Sequence, residues 1–171
     1  MLLALLIIAG CTGNGKNLIL KKISGKVTQT SDYCGGAPPP QELIDELLKE
    51  KAFPNKKLYI RESAVNMLSK PVIKEFTVGD NGTFEISLPS GQYCIIEDVK
   101  KENLKIPDFS EINKELPSYS QYRIQSEKCF KDWWETCDKI LLVNNQDITD
   151  FVIKFHHDCG QPCVEGGPLP Q

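Results

Sequence analysis

Val78-Gly79-Asp80-Asn81-Gly82-Thr83-Phe84-Glu85-Ile86-Ser87-Leu88-Pro89-Ser90-Gly91-Gln92-Tyr93 is the stretch that decides the fold. Phe84, Ile86 and Leu88 alternate with Thr83, Glu85 and Ser87, the period of a strand with one face in a core and one in water. Asp80-Asn81-Gly82 predicts a hairpin turn that needs positive φ. Pro89 ends the strand, and Gly91 lets Tyr93 turn back into the core. A strand bounded by such turns belongs to an antiparallel sheet, so the flanking sequence is expected to supply more of the same.

It does so at short spacing. Leu18 to Gln29, Lys57 to Arg61, Val72 to Val78, Gln92 to Glu97, Ile140 to Val143 and Phe151 to His157 all read as strands. With Thr83 to Leu88 they make seven, and seven short strands separated by turn signals argue for an all-β antiparallel sandwich. One helix interrupts them. Gln41 to Lys51 places Leu43, Ile44, Leu47 and Leu48 on one stripe behind three prolines, which predicts about three turns packed by Leu43, Ile44 and Leu47. Asp98 to Glu127 is long, polar and without a period, so it is expected to hold short elements of its own or to be functional. Lys100 to Lys114 reads as a solvated surface of mixed charge. The Gly- and Pro-rich tail should fray beyond Cys163.

The hallmark Asp, Gly and Phe, then Leu-Pro, then Gly-x-Tyr, resembles that of carboxypeptidase regulatory-like domains, and Ser24-Gly25-Lys26-Val27 resembles their first strand. The resemblance implies a seven-stranded, prealbumin-like (transthyretin-like) sandwich. Here it would carry one inserted helix and a long insertion holding Cys129 and Cys137. It imports no peptidase, because the metal-ligand motif of the enzymes has no counterpart in this sequence.

The chain's 171 residues suffice for one domain that buries roughly two-thirds of its unfolded surface. Its twenty basic residues against twenty-three acidic ones include only two arginines, Arg61 and Arg123, and form no basic stripe. Nucleic-acid binding is therefore not expected. Leu2 to Ala9 is an uncharged apolar run, far too short to span a bilayer of about 30 Å, and it reads as a signal peptide. Ile7-Ile8-Ala9-Gly10-Cys11 resembles the lipobox of bacterial lipoproteins. That resemblance implies cleavage after residue 10, lipidation of Cys11 and a membrane partner held through acyl chains. Thr12 after the cysteine resembles the signal for outer-membrane transfer, so the expected location is the bacterial cell envelope. The expected division is a signal peptide at 1–10, the lipidated cysteine and tether at 11–17, the sandwich at 18–163 and a flexible tail at 164–171.

Seven cysteines then divide into one and six. Cys34, Cys94, Cys129, Cys137, Cys159 and Cys163 form an even set in an exported chain, which predicts three disulfides. Where the first and last strands of a sandwich lie parallel and adjacent, their ends coincide, so Cys34 is expected to bridge to Cys159 or Cys163. Cys94 takes a remaining partner. Cys129 and Cys137 pair only if residues 131–135 bend back, because eight residues of straight helix span about 12 Å against a limit of about 7 Å.

Candidates for chemistry are few. The histidines are His156 and His157, adjacent and pointing to opposite faces of a strand. The run from His156 to Cys163 contains zinc-type ligands, but disulfides account for the cysteines and a strand end for the histidines. No metal, cofactor or catalytic residue is expected. Phe130, Trp133 and Trp134 form a candidate binding surface for a glycan or an envelope protein, since aromatic rings bury much area at low entropic cost. Covering an open face of the sandwich is the alternative role and the favoured one. The expected function is a non-catalytic binding or structural module. Its rivals are a carbohydrate-recognition module built on Trp133 and Trp134, and a small hydrolase or thiol- or metal-dependent enzyme around His157, Cys159 and Cys163.

Overall fold

The computed structural model describes residues 19–167. The expected signal segment, Cys11 and the whole tether lie outside these residues, as do positions 168–171.

The described chain is a β-sandwich. One sheet is built on β1 (Lys21–Ser31), an eleven-residue strand with partners along both edges. Along one edge run β5 (Thr83–Leu88), opposite Lys21 to Lys26, and the two-residue β2 (Lys51–Ala52), opposite Thr28 and Gln29. Along the other runs β9 (Ile148–His157), parallel to β1. The second sheet has the order β4-β3-β6-β8, from Val72–Thr77, Lys57–Arg61, Gly91–Glu97 and Lys139–Val143. Ile23, Val27, Phe84, Ile86 and Ile153 of the first sheet meet Leu58, Ile60, Phe76, Tyr93, Ile95 and Leu141 of the second in one buried cluster. All seven strands read from the sequence are present.

Two glycines answer to close approach. A Cβ on Gly25 would lie 1.9 Å from the Phe151 carbonyl oxygen, where β9 bulges past β1. Asp150, at φ 58°, absorbs the extra residue of that bulge. Gly82, at φ 80°, lets its backbone turn tightly enough to accept an N–H from Val27 at 2.8 Å.

Several expectations are corrected. The Asp80-Asn81-Gly82 turn forms, with Asn81 Oδ1 accepting from Thr83 N at 3.1 Å, but it does not close a hairpin. Strands β4 and β5 pair with β3 and β1 in different sheets, so the turn crosses the sandwich and sets Phe76 against Phe84 with ring centroids 4.9 Å apart. The helix, α1 (Gln41–Leu47), is two turns rather than three and buries no residue. Lys51 and Ala52 are drawn into pairing with β1, which takes the last turn from it. Beyond Cys163 the chain does not fray at once. Strand β10 (Val164–Gly166) pairs antiparallel with β7 (Tyr122–Ile124).

The long insertion does hold short elements: 3-10 turns at Asp98–Lys100 and Ser118–Ser120, and helix α2 (Ser110–Lys114). A longer helix, α3 (Glu127–Glu135), follows it. The disulfides are Cys34–Cys159, Cys94–Cys137 and Cys129–Cys163. Cys129 and Cys137 therefore do not pair, since residues 131–135 stay helical. Cys94 and Cys137 instead join the outer face of β6 to the segment after α3, beside Tyr59 and Ile96.

Candidate functional site

Helix α3 is fixed from both ends. Ser126 caps its start, its hydroxyl oxygen accepting from Cys129 N at 3.1 Å, and Phe130 and Trp134 are its buried residues. The Trp134 indole donates to the Glu102 carbonyl at 3.0 Å. Beneath them Asn66, fully buried, donates through Nδ2 to the carbonyls of Lys100 and Trp134, at 2.9 Å each, and its backbone N–H donates to Glu135 O. Arg61, 3% exposed, donates to the carbonyls of Lys70 and Lys101. Arg61 thus ties the insertion to strand β3, Asn66 ties it to the loop between β3 and β4, and Trp134 ties its two halves together, all through backbone carbonyls that have no strand partner.

Lys100 departs from its expected solvated role. It is buried, and its ammonium donates to Asp138 Oδ1 at 2.6 Å and to Thr136 O at 2.9 Å. It also lies 5.1 Å from the centroid of the Trp133 ring. Asp138 uses its other oxygen to accept from Glu97 N at 2.7 Å. A buried ammonium paired in this way holds the Trp133 ring in place through a cation–π contact.

These supports border a cleft of about 830 Å³. One wall is the start of the insertion, including Glu97, Asp98, Glu102 and Lys105; another is α3, through Phe130 and Trp133. The third is the end of β9 and the turn after it, including Phe155, His157 and Pro162. The candidate surface of Phe130, Trp133 and Trp134 is thereby corrected. Phe130 and Trp134, at 4% and 7% exposure, are core, and Trp133 alone is half-exposed toward the cleft. The reason is helical geometry, since adjacent residues of a helix diverge by about 100° and cannot share one face.

His157 is exposed and lines the same cleft. Cys159 and Cys163 are both oxidised, and to different partners, so they offer no thiol pair. The carboxylates gather instead on His156. Its Nε2 lies 3.0 Å from Asp32 Oδ1 and 3.4 Å from Asp158 Oδ1, and its Nδ1 lies 2.8 Å from the Thr30 hydroxyl. Sequence reading missed this group because its members lie at opposite ends of the chain. The signal was nevertheless present: parallel first and last strands joined by Cys34 bring Asp32 beside Asp158. Among the described residues, no helix is long and apolar enough to cross a membrane. No protein-family model matches this sequence, and no curated protein matches it either.

Proposed function

We propose that this is an exported, lipid-anchored protein of the bacterial cell envelope whose prealbumin-like sandwich binds, without catalysis, a polar envelope ligand in the cleft beside α3. The observation that carries the reading is the cleft itself, where a half-exposed indole stands among carboxylates and lysines on a frame braced by disulfides. A flat ring beside directional polar groups suits the alternating apolar and hydroxylated faces of a sugar. A glycan chain is therefore favoured over a protein partner, with Trp133 acting alone rather than with Trp134. Complete pairing of the six cysteines that follow Cys11 supports an oxidising compartment. It leaves Cys11, at the end of the lipobox-like segment, as the odd thiol for lipidation.

Two measurements test this. Radiolabelled palmitate should enter the protein and be lost in Cys11→Ala; an unlabelled wild type overturns the anchor. Titration with soluble envelope glycan fragments should shift indole fluorescence in wild type and in Trp134→Phe, but not in Trp133→Phe. A shift that persists in Trp133→Phe, or none in wild type, overturns the glycan reading.

A further inference from the structure

The Asp32–His156–Asp158 group, of which His156 and Asp158 also line the cleft, carries an inference that does not rest on what else the cleft binds. Parallel pairing of β1 with β9 sets Thr30 opposite His156 and Ser31 opposite His157. Asp32 and Asp158 follow directly on the paired ends of the two strands. Asp32 N donates to His157 O at 2.9 Å, and the Cys34–Cys159 disulfide closes the ladder just beyond. Backbone pairing and a covalent bond thus place the two aspartates on either side of one ring nitrogen.

A single imidazole nitrogen has at most one proton to give, and it points in one direction. It serves one carboxylate well and leaves the other facing a like charge. A divalent cation removes that conflict, because one ion accepts lone pairs from all three groups. The spacing agrees: ligands at about 2.05 Å on a tetrahedral ion lie about 3.3 Å apart, against the 3.0 and 3.4 Å found here. All three donor atoms fall within 4.8 Å of one another. The remaining edge closes by rotation of an exposed aspartate. On the far side of the ring, the Thr30 hydroxyl lies 2.8 Å from Nδ1 and can accept its proton when Nε2 binds an ion, as outer-sphere partners of metal-bound histidines do.

We propose that Asp32, His156 and Asp158 form a divalent transition-metal site, with zinc as its ordinary occupant and its remaining coordination positions open to solvent. One imidazole and two carboxylates suit zinc over calcium or magnesium, which favour all-oxygen shells. The two cysteines of the neighbouring disulfide take no part.

The test uses the tag-free full chain, stripped with chelator and titrated with zinc against a chromophoric competitor. The expected result is one zinc per chain, with affinity reduced at least tenfold in His156→Asn and in Asp158→Asn, and unchanged in His157→Asn. Thr30→Val should weaken binding by about tenfold, the lower end of the range for outer-sphere partners. Cobalt should give visible d–d bands in wild type that are absent in His156→Asn. The metal-free variants should keep the wild-type near-ultraviolet circular dichroism, which separates lost ligands from lost folding. Failure of wild type to take up zinc overturns the proposal, as does undiminished affinity in natively folded His156→Asn.

Discussion

Tyr59 is buried on the outer face of the second sheet, under the insertion, and its hydroxyl donates to Asp98 Oδ1 at 2.9 Å. Burial raises its pKa, and the Asp98 carboxylate, which accepts its proton, raises it further. The sign of the consequence follows from linkage. Below the unfolded phenol's pKa of about 10 the ring is neutral in both states and its contribution to stability is complete. Above it the unfolded chain ionises first, so stability falls as pH climbs toward the folded value. Tyr59→Phe should flatten the alkaline fall in the urea midpoint at pH values above about 10. Some slope should survive, because burial also raises Tyr93. Identical slopes in the two proteins would count against this account. None of this was legible from the sequence, where Tyr59 is one residue of a short strand and no local pattern marks its face as covered. Only the insertion folding back makes that face a second interior.

At the scale of elements, legibility tracked length and period. Strand β5 and its turn were readable because three apolar positions alternate beside a glycine, and β1 and β9 because they are long. Strands β7 and β10, three residues each, are too short to carry a period. Helix α1 misled by a different route. Its apolar stripe is real, yet Leu43 and Leu48 are 39% and 54% exposed, because no neighbouring element receives them. The β7–β10 ribbon is two-stranded, an arrangement marginal by itself in water, and the Cys129–Cys163 bridge fastens it to α3. In the double variant Cys129→Ser, Cys163→Ser, hydrogen exchange should accelerate by at least tenfold at the amides of Gln125 and Gly167, which donate across the ribbon to Cys163 O and Gln121 O. Amides of β1 and β6 should exchange at wild-type rates. Uniform acceleration across the sandwich would show instead that the ribbon and the core open as one unit.

The whole molecule is held at its ends by the parallel pair β1 and β9. Cys34 and Cys159, 125 positions apart, convert nearly the entire described chain into a closed loop. Loss of that bridge in Cys34→Ser, Cys159→Ser should cost up to about 4.7 kcal/mol, with far-ultraviolet dichroism unchanged at low temperature. A loss below about 0.5 kcal/mol would mean that strand pairing alone already confines the unfolded ensemble. That the ends of the first and last strands meet was readable from the cysteine count and the order of strands. The cleft was not, since it needs segments near residues 100, 133 and 157 to converge, and only the tertiary fold brings them together. The length of β1 has one more effect. The ten steps from Lys21 to Ser31, at about 3.3 Å each, carry the chain about 33 Å, and the cleft and the Asp32–His156–Asp158 group stand at the far end. Under the proposed anchor at Cys11, β1 is the rigid spacer between the point where the chain enters the sandwich and the site, so attachment and ligand would lie at opposite ends of one strand.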